Sequence, residues 1–390
     1  MAKNKWDYVF IFSSPPTPRM LDKVRLAVEL GFCVACCYLK RPNQRLRVET
    51  IDGCDIVEKP VNFNGVSIRR LLSVPHLIAW LRFSLFNNTA ELGRVHTDSL
   101  DLLILSQIAA FGRHFIFHHQ VRDLHKLQLK SGICGYLVRA IDRLAMYRVS
   151  MLMLTCEGYF ENYYKTIYSG EYVVVENWPD HTVWENFEKK PNSIFTIGFV
   201  GVIRYLKCFE ALIQAIDLLR KDGVDVRLKI AGGGDLESFS ELIKKREWIE
   251  QTGAFDYSLE ITSIYADVDL IWSVYDTSLQ NVRIAMPNKF YEAILSRIPI
   301  VVAENTYLAN RVYKAGIGIC VPCDNAETIA KILAIACKKE GWYITALNAL
   351  EDLNPSVYFE QEHPLRLKRA VTGNTSQPRI FQTKQNQTAA

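Results

Sequence analysis

The residues best equipped for chemistry stand in three turns of the second half of the chain. Gly198-Phe-Val-Gly201-Val-Ile-Arg204-Tyr-Leu-Lys207 closes an apolar run with glycines and sets two cations ahead of a helical stretch. Glycine lets backbone approach a ligand closely, and the start of a helix offers free N–H groups to an anion. Arg204 supplies a planar two-pronged donor and Lys207 a mobile point charge. Such a loop suits a diphosphate and can stabilise it as a leaving group without a metal; an exposed turn with incidental charges reads the same way. Ala231-Gly-Gly233-Gly-Asp235 is a second glycine turn, in which Gly233 permits close approach or serves packing alone. In Pro287-Asn288-Lys289-Phe-Tyr-Glu292 the proline and asparagine can start a helix, and Glu292 follows one turn in. A carboxylate there can accept both hydroxyls of a ribose, or it can simply complement the helix dipole.

The first half offers a different set. Phe117-His-His119-Gln-Val-Arg122-Asp123-Leu-His125 gathers polar groups at the end of an apolar strand. Asp123, His125 and His119 are the candidates for a catalytic base, histidine because it titrates near neutrality. Each histidine has an ordinary structural alternative as a satisfied surface or core residue. Two C-x-x-C spacings, Cys33 to Cys36 and Cys320 to Cys323, raise zinc or redox chemistry. Both lie inside apolar runs where cysteine acts as a small hydrophobe, so no metal is assigned.

The elements that must position these groups alternate. Tyr8–Phe12, Cys33–Leu39, Phe115–His118, Met151–Thr155 and Tyr172–Val175 read as strands separated by amphipathic helices. A second series starts at Phe195–Val200 and continues through Val226–Ile230, Leu270–Val274, Ile300–Ala303 and Gly318–Val321, with a helix from Leu236 among its crossovers. Such alternation implies parallel sheets covered on both faces, with ligands at the carboxyl ends of the strands. The expected fold is α/β: two Rossmann-like doubly wound domains facing each other across a cleft. The expected boundaries are 1–180 for the first domain, 181–192 for a polar linker, 193–340 for the second domain and 341–363 for an extension. Residues 364–390 carry five cations and no acid, and read as a disordered basic tail.

The 390 residues bear a net charge of +4, which demands no nucleic acid. Ten scattered cysteines fit a reducing cytosol, and no apolar run reaches the length of a membrane span. Residues 67–86 mix Arg69, Arg70 and Arg82 with leucines, Trp80 and phenylalanines, as a segment at a membrane interface would; Pro75 breaks the run, and a core helix is the alternative.

The Pro287–Glu292 block followed by Ile298-Pro-Ile-Val-Val302 resembles the donor-binding signature of glycosyltransferase family 4-like enzymes of the GT-B fold, the bacterial polysaccharide-assembly type. Gly198–Lys207 resembles that family's phosphate loop, Val173–Pro179 its interdomain segment and Gly316–Asp324 a later strand and turn. Arg122-Asp123 resembles its polar pair at the acceptor side, with Arg122 in place of the usual histidine and Asp123 retained. Val95–Ser99 resembles a turn that would line the acceptor pocket through His96 and Asp98. The resemblance implies a retaining hexosyl transfer from a nucleoside diphosphate sugar to a saccharide or lipid-linked saccharide in surface polysaccharide biosynthesis, with no required cofactor or metal. It implies a cytoplasmic enzyme, reaching the inner face of the membrane if the acceptor is lipid-linked. Gly201, Arg204, Lys207, Gly233, Asn288, Lys289 and Glu292 would hold the donor. Two departures stand out: Ile284 lies eight residues before Glu292, where many relatives have a second glutamate, and Cys208 follows Lys207 where glycine is usual. A nucleotide-sugar epimerase of the same fold, and a non-catalytic donor-binding subunit, are the alternative readings.

Overall fold

The computed structural model describes residues 5–42, 48–63, 68–234, 243 and 246–373. Seven parallel strands form the first sheet: β1 (Trp6–Phe12), β2 (Val34–Lys40), β3 (Cys54–Pro60), β4 (Thr89–Thr97), β5 (Ile116–Val121), β6 (Val149–Leu154) and β7 (Glu171–Val174). Their spatial order is β3-β2-β1-β4-β5-β6-β7. The second sheet comprises β8 (Phe195–Val200), β9 (Val226–Ala231), β10 (Ile249–Gly253), β11 (Leu270–Ser273), β12 (Ile300–Ala303) and β13 (Gly318–Val321), in the order β10-β9-β8-β11-β12-β13. Strand order reverses between β1 and β4 and between β8 and β11. These are the switch points at which crossovers diverge to opposite faces and leave a crevice for ligand.

Most of the strands that sequence alone recovers are apolar and buried on both faces; the partly buried edge strands β7 and β13 are recovered as well. β3, β4 and β10 escape it. β3 and β10 are edge strands with mixed patterns, and β4 carries Glu91, Gly93 and Arg94. The glycine turns extend the second sheet past its strand ends. Gly201 donates to the Ala231 carbonyl (2.7 Å), Ile203 to Gly233 (2.8 Å) and Gly232 to Gly253 (2.7 Å). At Gly232, φ is +133° and a β-carbon would lie 2.1 Å from the Gly201 carbonyl oxygen, so only glycine fits. Asp235 and the helix expected from Leu236 lie outside the described residues.

The polar stretch 181–192, expected as the linker, is anchored to the second half. Trp184 is buried there, Phe187 packs beside it, and Lys189 pairs with Asp269 at 2.8 Å. The expectation of a disordered tail from residue 364 is corrected for its first part. A helix spans His363–Thr372 and returns to the first half, with Ala370 and Val371 buried. Arg366 reaches the Val174 carbonyl (3.2 Å), and Arg369 pairs with Glu171 (2.9 Å). Arg366, Lys368 and Arg369, taken as part of a solvated tail, therefore stand on the polar face of an amphipathic helix. Residues 374–390 lie outside the described residues.

The helix Gly132–Met146 covers β5 and β6 and turns Asp142 inward. That carboxylate accepts from Gln128 Nε2 (2.7 Å) and Tyr163 (2.8 Å), and burial raises its pKa to about 6. Because the folded pKa exceeds the unfolded one, the folded state binds the extra proton, and stability falls as pH rises from about 4 to about 6. Asp142→Asn is expected to flatten that dependence in urea unfolding curves and to add about 1–3 kcal/mol at pH 7.

Candidate active site

The donor side is built around the Gly201 loop. Tyr205 takes a left-handed backbone (φ 66°) and starts the helix Leu206–Lys221, which turns the chain sharply after Arg204. Arg204 and Lys207 are exposed at this helix start. Cys208 is buried, so the bulk it adds where glycine is usual is absorbed by the core and leaves the mouth of the loop free.

Lys289 closes the loop from below. Its ammonium lies 3.0 Å from where a β-carbon on Gly201 would stand, and 5.6 Å and 5.9 Å from the ring centres of Phe199 and Tyr275. Burial opposes its charge, yet Tyr275 and Glu292 outweigh that and its pKa is raised. An ammonium held charged beneath a glycine turn is suited to a phosphate.

Glu292 is buried, one turn into the helix Lys289–Ser296. Tyr257 donates to its Oε1 (3.0 Å) and Tyr265 to its Oε2 (2.8 Å). Each carboxylate oxygen retains acceptor capacity, since each has two lone pairs. Asn288 faces the crossing segment and accepts from Asn177 Nδ2 (2.8 Å), whose Oδ1 accepts from Arg19 (3.0 Å). That chain of bonds ties the Pro287–Glu292 block to the first helix. Beside it Trp178 packs on Tyr291 and Tyr358, and Glu176 pairs with Arg311 at 2.7 Å.

On the acceptor side, the carboxyl ends of β1, β4 and β5 converge. Asp98 is buried at the end of β4 and accepts from the Ser13 N–H (2.8 Å), the Ser13 hydroxyl (3.2 Å) and Arg122 (2.7 Å). Asp98 therefore holds Arg122 in place. Asp123, exposed in the cleft, accepts from Tyr159 (3.2 Å) and from Asn281 Nδ2 of the second half (2.7 Å). Tyr205 lies near enough for the Asp123 charge to act on its phenol. Asp123 is thus tied to the second half of the chain through Asn281.

Two of the three candidate histidines fall elsewhere. His119 is enclosed in the sheet and shares a hydrogen bond with Thr97 Oγ1 (3.0 Å); burial lowers its pKa to about 4. His96 is enclosed between Phe10 and Phe12, its pKa depressed well below the ordinary value by burial. Both sit on strands covered on both faces, which keeps them neutral and out of the cleft. His125 caps the short helix Lys126–Leu129, accepting from the Leu127 N–H at 3.3 Å. The geometry encloses His96 and His119 away from the cleft, while His125 is exposed two residues from Asp123. Sequence reasoning also missed Tyr257, Tyr265, Tyr275 and Lys23. Lys23 is a buried cation beside Asp98 and Arg122 whose pKa is lowered to about 8, chiefly by burial. Among the described residues no group of His, Cys, Asp and Glu side chains gathers as a metal site.

Comparison with known proteins agrees with this layout. Residues 194–338 match the family model described as glycosyl transferases group 1. The succinoglycan biosynthesis protein ExoL of Rhizobium meliloti (strain 1021) is 22% identical over 302 residues, which is 73% of this chain and 73% of that protein. Sucrose-phosphate synthase from Thermosynechococcus elongatus superposes with a TM-score of 0.65 at 12% identity, covering 93% of this chain and 98% of that one. Anabaena Alr3699/HepE in complex with UDP superposes at 0.63 and 12% identity, covering 94% and 98%. WaaG, a glycosyltransferase involved in lipopolysaccharide biosynthesis, superposes at 0.61 and 15% identity, covering 94% and 100%. The fold is GT-B, and residues 194–338 of its second half carry the match to glycosyl transferases group 1.

Proposed function

We propose that the enzyme transfers a hexosyl group, with retention of configuration, from a nucleoside diphosphate sugar to a saccharide or lipid-linked saccharide acceptor in surface polysaccharide assembly. The observation that carries this reading is Asp123 held from across the cleft by Asn281 (2.7 Å), with Lys289 beneath the Gly201 loop of the same second half. Arg204, Lys207 and Lys289 hold the diphosphate and take up its charge as the glycosidic bond breaks. Gly201 and Gly233 keep the backbone close to it, Asn288 fixes the start of the Glu292 helix, and Glu292 receives the ribose hydroxyls. Asp123 orients the acceptor hydroxyl, while Asp98 and Arg122 shape the wall behind it. The UDP complex of HepE supports a nucleotide donor, and the assignments of ExoL and WaaG to succinoglycan and lipopolysaccharide biosynthesis support polysaccharide assembly. Among the described residues no helix is long and apolar enough to cross a membrane.

The test measures nucleoside diphosphate released from UDP-, GDP- and dTDP-hexoses, with and without a lipid-linked saccharide. Release that requires the acceptor is expected, and Asp123→Asn is expected to lower kcat by about 10²-fold or more. Acceptor-independent release of free sugar would indicate an epimerase. Donor binding with no turnover under any condition would indicate a non-catalytic subunit. Either result overturns the proposal.

A further inference from the structure

The helix Gly132–Met146 is apolar on both sides. Its inner side is formed by Gly135, Asp142, Ala145 and Met146, all buried. Its outer side presents Ile133, Tyr136, Leu137 and Leu144, and Tyr147 continues the same stripe at the helix end. At 100° per residue these five positions fall within roughly one third of the circumference. Ile133 is 80% exposed and Tyr147 90%, so they are not marginal core residues. The surface continues onto the neighbouring helix Leu100–Ala109. Gln107 Nε2 bonds the Ala145 carbonyl (2.8 Å), and Phe111 stands exposed just beyond that helix. Arg82 bonds the Ala109 and Phe111 carbonyls (2.8 and 2.9 Å) and joins the 68–86 segment to the same face, bringing exposed Phe83 with it. A contiguous apolar surface of this kind on a soluble body marks an interaction site.

Charge identifies the occupant. Residues 100–156 hold seven Lys and Arg against three acids, Asp101, Asp123 and Asp142, an excess of four that equals the net charge of the whole chain, and Asp101 is paired with Arg70. Asp142 points inward and Asp123 into the cleft, which leaves Lys126, Lys130, Arg143 and Arg148 exposed around the stripe without an acidic side chain from their own segment. A second copy of this chain would set these cations against one another. Apolar side chains ringed by cations match a bilayer of anionic phospholipid, whose acyl boundary takes the stripe and whose headgroups take the rim.

We infer that the outer face of Gly132–Met146, with Phe111, docks the enzyme on an anionic lipid surface. The loop bearing Asp123 leads through the short helix Lys126–Leu129 into this helix, so docking presents the cleft to an acceptor anchored in that surface. The segment 68–86 contributes to the edge of the face: Leu77, Leu81 and Leu85 are core, and Phe83 is exposed. The placement adds to the proposed transfer reaction but does not depend on the donor assignment, because vesicle binding is read without turnover.

The full chain is floated with vesicles of phosphatidylcholine alone and of phosphatidylcholine with phosphatidylglycerol at roughly 3:1. Binding to the anionic vesicles is expected, with little to the neutral ones and a decline as salt rises. The variant Leu137→Ser/Leu144→Ser/Tyr147→Ser is expected to lower the partition coefficient by about tenfold or more. Lys126→Glu/Lys130→Glu is expected to lower it by about fivefold per charge removed. Both variants should melt as the parent does and keep its turnover on a water-soluble acceptor, since they alter exposed positions. The inference is overturned if the parent does not bind, if neutral vesicles bind equally, or if both variants bind as the parent does. It is also overturned if sedimentation shows a dimer that the triple variant dissolves and no vesicle binding. Failure of the transfer assay with intact vesicle binding would instead refute the proposed reaction.

Discussion

Replacing Lys289 with methionine is expected to lower kcat/KM by about 10²- to 10³-fold, some 3–4 kcal/mol of transition-state stabilisation, while leaving the fold intact. The physical case starts from burial. A buried ammonium is costly unless something compensates it. Here the compensation comes from the Tyr275 hydroxyl, the field of Glu292 and the faces of two aromatic rings. Both Glu292 oxygens are engaged by tyrosines, and no ion pair between the lysine and a carboxylate forms among the described residues. The ammonium instead points at the underside of Gly201, where a donor diphosphate would complete its coordination. Methionine matches the stem in length and shape and fills the same slot without the charge. Thermal unfolding should therefore show a melting temperature equal to or above that of the parent. Calorimetric titration with a nucleoside diphosphate should show affinity falling in parallel with kcat/KM. Lost activity with an equally lowered melting temperature would point to a packing role. Unchanged kinetics would remove Lys289 from the site.

The same lysine shows what is legible in sequence and what is not. The Pro287–Glu292 block marks a helix start and a well-placed acid, because proline, asparagine and the apolar run that follows are local signals. Its ammonium meets Gly201 through pairing of β8 with β11 and β11 with β12, which is non-local. The acceptor side misleads for the same reason. Polar residues at the end of an apolar strand look alike in sequence whether they emerge into a cleft or stay inside. His119 and Asp123 are four positions apart, yet the first is enclosed by the sheet and its helices while the second lies past the strand end. The tyrosines escape notice altogether. Tyr257 and Tyr265 lie on a crossover helix, and nothing in their spacing announces a carboxylate from another helix. The basic carboxy-terminal segment deceives through composition: its positive charge suggests a tail, while Ala370 and Val371 show the apolar stripe of a docked helix.

Glu292→Gln is expected to weaken nucleoside diphosphate binding by about 10- to 100-fold, roughly 1.4–2.7 kcal/mol, and Glu292→Ala by at least as much. The reasoning is an acceptor inventory. An ionised carboxylate offers about four lone-pair directions, and two tyrosines occupy one on each oxygen. Two remain, one per oxygen, which is what a pair of vicinal ribose hydroxyls would use. Glutamine keeps the shape but turns one acceptor into a donor, so one tyrosine and one ribose hydroxyl lose their partner together. Alanine removes both acceptors and orphans the Tyr265 hydroxyl in the core, which costs about 1–3 kcal/mol of stability. Adding Tyr265→Phe to Glu292→Ala should recover most of that stability without restoring affinity, since the orphaned hydroxyl goes and the carboxylate does not return. A dipole-complementing role predicts the opposite pattern: a loss of under about 1 kcal/mol in stability and no change in affinity. Tyr257→Phe separates the two further. Tyr257 is only partly buried and its phenol holds Oε1, so removing that bond frees an acceptor for ribose. Affinity should stay level or rise by about threefold. A fall of tenfold would mean that Tyr257 itself, with Glu292 as its positioning partner, contacts the nucleotide.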